Sequence, residues 1–233
     1  MIAIIPARQG SKRLKNKNLR LLQNKPLIHW TIKAAQKSKF IKKVFVSTDC
    51  KKILSYSKKI GALDNGLRPK KLAKDKSNAI DTYLYEFRKI HKITNCEKNF
   101  IVLLPTSPLR SSKQIDEAIK IFKKNKVKSL ISCKKIEKNY FNWQFELKGK
   151  KNLVSVPKKN KKKLMRNASE LHNYAPNGAI YIINYDMIKK KLSYYSYNTC
   201  AYIMDSVSSI DIDTQNDFDY CEFLNRKYKL LKN

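Results

Sequence analysis

The chain has 233 residues, 42% of them hydrophobic, and its 51 Lys and Arg against 18 Asp and Glu give a formal net charge of +33, enough length and apolar content for one domain with a substantial core. The cations are spread along every segment and are overwhelmingly lysine, so they read as compositional bias rather than as a nucleic-acid-binding face. With no apolar run long enough to span a membrane, and five scattered cysteines without a Cys-x-x-Cys pair, a membrane protein, a disulfide framework and a zinc site are set aside in favour of a soluble, cytoplasmic protein.

Ile2, Ile4 and Ile5 suit a buried strand, which Pro6 ends because it has no N–H to donate. The loop beyond carries Gly10 and Ser11, which let backbone amides approach an anion, and Arg8, Lys12, Arg13, Lys15 and Lys17 to balance its charge. Lysine is too common here to prove anything. Three of the eight arginines, Arg8, Arg13 and Arg20, nonetheless fall in the first twenty residues, and a guanidinium fork suits phosphate or carboxylate oxygens. The loop therefore reads as a phosphate cradle, with a merely basic surface loop as the alternative.

Pro26 to Lys37 places Leu27, Ile28, Thr31, Ala34 and Ala35 on one helical face, with Pro26 suited to the first turn. Val44 to Asp49 is a short strand ending in polar residues, where open α/β sheets present ligand groups. Asp49 either caps the next helix or faces the ligand. Ala79 to His91 reads as a helix, and the apolar run Phe100 to Leu104 as a strand buried on both faces. Ser111 and Gln114 fit a capping box for a helix with Ile115, Ala118, Ile119 and Phe122 inward. Val127 to Cys133 is a further strand. Between about Ile136 and Ala175 the pattern loosens into a hairpin excursion whose Tyr140, Phe141, Trp143 and Phe145 would expose much aromatic area on a monomer. Residues 176 to 183 make a turn into a strand. Asp211 and Asp213 sit two apart, which on a strand puts both carboxylates on one face, and two converging acids beside phosphates suit a divalent cation. Asp213 or Thr214 could instead cap the last helix, which carries Phe218, Cys221 and Leu224. The three histidines, His29, His91 and His172, are too far apart for a metal site.

Five strings bear a resemblance to the acylneuraminate cytidylyltransferases, the CMP-sialic acid synthetases. They are Pro6-Ala7-Arg8 with Gly10-Ser11-Lys12-Arg13-Leu14 and Lys17-Asn18; Leu67-Arg68-Pro69; Pro105-Thr106-Ser107-Pro108-Leu109-Arg110; Pro176-Asn177-Gly178-Ala179-Ile180-Tyr181; and Ser209-Ile210-Asp211-Ile212-Asp213-Thr214. Ser47-Thr48-Asp49 is also similar. The resemblance implies a single α/β domain over residues 1–233, a three-layer Rossmann-like nucleotidyltransferase fold with a mostly parallel sheet, in which residues 136–175 form a dimerisation excursion and the protein is a homodimer.

It further implies transfer of CMP from CTP to the anomeric hydroxyl of an acidic nine-carbon sugar, with Mg2+. Carried over by position, Arg8, Ser11, Lys12, Asn18, Asp49 and Arg68 would bind CTP. Lys17, Asp211 and Asp213 would be catalytic, the two acids holding the metal, and Ser107, Arg110, Arg166, Asn177 and Tyr181 would meet the sugar. The chain departs from the family pattern at Lys15 (usually proline), Leu104 (commonly glutamine) and Ala175 (often arginine), with Arg166 one residue out of register from another family arginine. Leu104 and Ala175 keep a different acid sugar, such as pseudaminic, legionaminic or 3-deoxy-octulosonic acid, open as the acceptor. A non-catalytic nucleotide- or nucleic-acid-binding protein is the remaining alternative.

Overall fold

The computed structural model describes residues 1–74, 77–136, 146–148, 153–155, 173–191, 193–195 and 199–231. In chain order these form β1 (Ile2–Pro6), a small hairpin of β2 (Leu21–Leu22) and β3 (Lys25–Pro26), α1 (Leu27–Gln36), β4 (Lys43–Ser47), α2 (Lys51–Lys59) and α3 (Ala79–Thr94). There follow β5 (Asn99–Leu103), α4 (Ser112–Lys124), β6 (Ser129–Ile136), β7 (Glu146–Lys148) and β8 (Leu153–Ser155). The chain closes with β9 (Asn173–Asn184), α5 (Tyr185–Lys191), β10 (Thr199–Met204) and α6 (Gln215–Tyr228).

The central sheet has the order β10-β6-β9-β5-β1-β4. β1 pairs in parallel with β4 and β5, β10 pairs in parallel with β6, and β9 alone runs antiparallel, to β5 and β6. The sheet is thus mostly parallel, as the sequence suggests, with one reversed strand that the sequence does not announce. Reversal matters for function, because Leu103 pairs with Ile180 and so the start of β9 lies at the same sheet edge as the ends of β1 and β5.

Side chains alternate along these strands and divide the core into layers. Ala3, Ile5, Val46, Ile101 and Leu103 pack with Ile28 and Ile32 of α1, Ile53 of α2, and Ile115, Ile119 and Phe122 of α4. On the other face, Ile2, Ile4, Phe100 and Val102 meet Tyr83, Phe87 and Ile90 of α3 and Ile188 of α5. Helices on both faces explain why β5 is apolar at consecutive positions: Phe100, Ile101, Val102 and Leu103 are all fully buried. α4 carries the expected reciprocal cap, with Ser111 and Gln114 satisfying each other's backbone N–H. The β2–β3 turn has Gln23 and Asn24 both at positive φ, the geometry of a tight two-residue hairpin.

A third core joins the chain's two ends. Phe218, Cys221 and Leu224 of α6 pack with Leu14, Leu22, Leu27, Trp30 and Leu109, and with Ile210 and Ile212 just before the helix. β7 and β8 pair antiparallel as a separate two-stranded sheet, within the expected excursion. Its aromatic residues Tyr140, Phe141, Trp143 and Phe145 lie outside the described residues. All five cysteines are unpaired, and among the described residues no helix is long and apolar enough to cross a membrane.

Phe87 anchors the α3 face, with its ring 4.9 Å from Phe100 and 4.7 Å from Tyr185 and only 1% of the residue exposed. Phe87→Ala should lower stability by about 3–5 kcal/mol, read as a fall in the urea midpoint. A change under about 1 kcal/mol would mean that this core collapses to fill the gap.

Candidate active site

The site lies at the edge where β1, β4 and β5 end and β9 begins. Residues 7–20 leave β1 as a loop whose form is fixed at several points: the Ala7 N–H donates to the Ser47 carbonyl at 2.8 Å, the Gln9 N–H to Asp49 Oδ1 at 2.9 Å, and Asn18 Nδ2 to the Arg8 carbonyl at 2.9 Å. Leu14 is buried in the third core and pulls the middle of the loop inward. Ser11, Lys12, Arg13 and Lys17 consequently line a cleft of about 420 Å³ with Arg8, Asn18, Leu104, Thr106 and Asp213. A larger cleft of about 670 Å³ shares Arg8 and Asn18 and holds Asp49, Lys51 and Lys52. It contains neither acid of the 211–213 segment, whereas Asp213 lines the smaller one.

Residues 210–213 are extended but lie outside any strand. The Ile212 N–H donates to the Thr106 carbonyl at 2.8 Å, and Ile210 and Ile212 are buried while Asp211 is exposed and Asp213 intermediate. The alternation expected of a strand therefore survives without one. Lys17 Nζ, nearly enclosed, donates to the Ile212 carbonyl at 2.7 Å and to Asp213 Oδ1 at 2.9 Å. Arg13 Nη2 donates to Asp213 Oδ2 at 2.7 Å. Helix α6 is capped by Thr214, whose side chain and that of Asp217 satisfy each other's backbone N–H, so Asp213 is not the cap.

Asp211 is open to solvent at the mouth yet has protein on most sides. That burial raises its carboxyl above the ordinary value, against a hydrogen bond from Thr106 and with Asp213 adding in the same direction. Gly178, at φ +75°, lies beneath it, where an added Cβ would stand 3.6 Å from Asp211 Oδ2 and 3.4 Å from a Leu104 methyl. Tyr181 is half-buried nearby, its phenol pushed up to about 12 chiefly by burial, with Asp211 contributing.

Three residues expected at the sugar have no surface to offer one. Arg110 is 2% exposed, and donates through Nη1 to the carbonyls of Leu104 and Ala179 at 3.2 and 2.7 Å and through Nη2 to Thr31 Oγ1 at 2.9 Å. Burial without a compensating acid lowers its pKa to about 9, and it stays charged at neutral pH. Asn177 accepts from Ser132 Oγ and the Ala179 N–H and donates to Ser209 Oγ at 2.8 Å. Ser107 is fully buried. Arg110 and Asn177 brace the rim through these bonds. Asp49 is likewise not a helix cap, since Cys50 occupies that position and Asp49 secures the loop at Gln9.

Arg68 is buried with its Nε unpartnered, and Arg8, Asp49 and Glu86 lie close enough to influence its charge. Glu86, also buried, accepts from Ser47 Oγ at 2.8 Å and from Asn65 Nδ2 at 2.5 Å, fastening the segment before Arg68 to the end of β4. Arg166 lies outside the described residues. Thr106 and Gly178 join the site without having been assigned to it from sequence, and Arg13, read from sequence as a balancing charge for an anion, is bonded to Asp213.

A cationic loop after the first parallel strand, lining a cleft with Asp213 and bonded to it through Lys17 and Arg13, marks an α/β protein suited to phosphorylated ligands. Residues 2–233 match the family model described as Cytidylyltransferase, and the chain belongs to that family. It is 36% identical over 243 residues to the N-acylneuraminate cytidylyltransferase of Escherichia coli, covering 97% of this chain and 52% of that protein. It is also 36% identical over 225 residues to the CMP-N,N'-diacetyllegionaminic acid synthase of Legionella pneumophila, covering 96% and 95%. The chain thus spans about half of the first relative and nearly all of the second. The fold is shared with a solved CMP:2-keto-3-deoxy-manno-octonic acid synthetase complexed with CTP, at a TM-score of 0.72 and 16% identity, covering 97% of this chain and 98% of that one.

The raised Asp211 carboxyl has a consequence for stability. Folding favours its protonated form, so the group costs nothing below its unfolded pKa and destabilises the fold as pH rises through the folded value. Asp211→Asn should therefore raise the melting temperature at neutral pH and lose that advantage below about pH 3, where wild type is protonated in both states. A neutral-pH melting temperature unchanged or lowered in the variant would contradict this electrostatic account.

Proposed function

We propose that the chain transfers CMP from CTP to the anomeric hydroxyl of a sialic-acid-like nonulosonic acid, releasing pyrophosphate. The observation that carries this reading is the Asp213 carboxylate held by Lys17 and Arg13 beside Asp211, on a cleft that the phosphate loop also lines. Arg8, Ser11, Lys12 and Lys17 hold the triphosphate, and Arg68, a buried donor with a free Nε, serves the nucleotide. The sugar hydroxyl attacks the α-phosphorus in line, and the bond to the β-phosphate oxygen breaks. The protein's part is chiefly positioning and charge stabilisation.

Two carboxylates suit magnesium, which is held by one or two acids and completes its shell with phosphate and water oxygens. Among the described residues no group of three or more His, Cys, Asp or Glu forms a metal cluster. Asp211 and Asp213 would hold it, and when bound it would neutralise charge developing on the phosphates. Tyr181 is the described candidate for contact with the sugar. Residues 136–175 are read as the dimerisation excursion of a cytoplasmic homodimer, which sedimentation at micromolar concentration would check by giving the mass of two chains.

A related acid sugar as acceptor is the second reading. Leu104 lines the cleft where acylneuraminate cytidylyltransferases commonly carry glutamine, and the relative matched over nearly its whole length is named for a legionaminic acid. Pyrophosphate release from CTP and magnesium with N-acetylneuraminic, legionaminic, pseudaminic and 3-deoxy-octulosonic acids would rank the acceptors. No release with any of them would overturn the assignment.

Asp213→Asn should reduce pyrophosphate release by about 10²–10³, the usual worth of a preorganised electrostatic contact. Its melting temperature should move little, because Thr214 supplies the helix cap. Near-normal turnover at saturating magnesium would remove Asp213 from the metal site.

A further inference from the structure

Both oxygens of the Asp213 carboxylate are already engaged, Oδ1 by Lys17 Nζ at 2.9 Å and Oδ2 by Arg13 Nη2 at 2.7 Å. The two cations differ in circumstance. Lys17 is 12% exposed and also donates to the Ile212 carbonyl, which anchors it. The Arg13 side chain is 67% exposed on a loop that lines the same cleft, so it can leave Asp213 for another acceptor at little steric cost. A divalent cation approaching Asp213 in the free protein meets two positive groups and must break a hydrogen-bonded pair. A triphosphate changes that balance, since its oxygens accept the guanidinium bidentately and release the carboxylate.

Resting on the proposed CTP and metal site, we infer that Arg13 is a placeholder for the divalent cation at Asp213, one that yields when a triphosphate takes its guanidinium. The free protein therefore takes up metal weakly, and metal and nucleotide enter together. Arg13 acts through Asp213 and is a positioning residue.

The test is binding of free Mn2+ to the nucleotide-free protein, followed by loss of the free-ion electron paramagnetic resonance signal. Arg13→Ala should tighten Mn2+ binding about threefold, the scale expected for losing one exposed ion pair. Adding Asp213→Asn to that variant should abolish the gain. Lys15→Ala removes the same charge from the same loop without touching Asp213, and should leave Mn2+ affinity within error of wild type. Equal Mn2+ affinity in wild type and Arg13→Ala would overturn the inference, as would an equal gain in Lys15→Ala, which would make the effect one of general charge. A second arm with CTP present separates this from failure of the underlying site: if Asp213→Asn binds Mn2+ with CTP as tightly as wild type, the metal assignment itself falls, and the placeholder with it.

Discussion

A cation with no ion-pair partner among the described residues sits where β5, β9 and α1 meet, and the shape of the site depends on it. The Arg110 guanidinium is removed from water, which is costly unless its donors find acceptors. Nη1 and Nη2 find them in the Leu104 and Ala179 carbonyls and the Thr31 hydroxyl, while Nε has no hydrogen-bond partner. Those carbonyls belong to the residue just after β5 and to the middle of β9, the two backbone segments that flank the acid pair. One side chain thereby fixes the turn after a parallel strand against the middle of an antiparallel one, next to the last ladder pair Leu103–Ile180. Asn177 does similar work a few residues away by joining β6, β9 and Ser209. Asp211 and Asp213 hang from a rim held on both sides.

That arrangement explains what could be read from sequence and what could not. β1 and β5 were legible because runs of β-branched and apolar residues ending at Pro6 and Pro105 have few other solutions. The acid pair was legible for a different reason: alternation of Ile210, Asp211, Ile212 and Asp213 requires only an extended backbone with one buried side, so the pattern survives although no strand forms there. The β2–β3 hairpin was missed because Gln23 and Asn24 lack the Asn-Gly or Asp-Gly signal of such turns, and the direction of β9 was missed because pairing direction leaves little trace in a strand buried on both faces. Arg110 and Asn177 show a deeper limit. A polar residue at a strand end serves equally well as a ligand contact or as a brace, and only the location of its acceptors tells the two apart.

The two ends of the chain meet in a way that couples stability to the site. Leu14 of the loop and Ile210 and Ile212 of the acid segment pack into one core with α6, while Lys17 bonds Asp213 across a separation of 196 residues. The apolar contacts supply the adhesion, since the outer ion pair is solvent-screened and worth little by itself. The polar contacts fix direction. Burying the leucine and isoleucines on one side of each segment turns Lys17, Arg13, Asp211 and Asp213 to the other side, where Lys17 and Arg13 bond Asp213 directly.

The same division of labour leaves the site with electrostatic strain that the core must carry. Asp211 is held where its ionised form is disfavoured, and Arg68 and Glu86 are buried in a network that leaves the Arg68 Nε without a partner. None of these groups would be chosen for stability alone, and each stands at the sheet edge rather than in its interior. A ligand bearing several negative charges would meet a buried guanidinium whose Nε lacks an acceptor. These groups cost stability at the sheet edge, and the apolar layers around Phe87 and Ile115 are what make that cost tolerable.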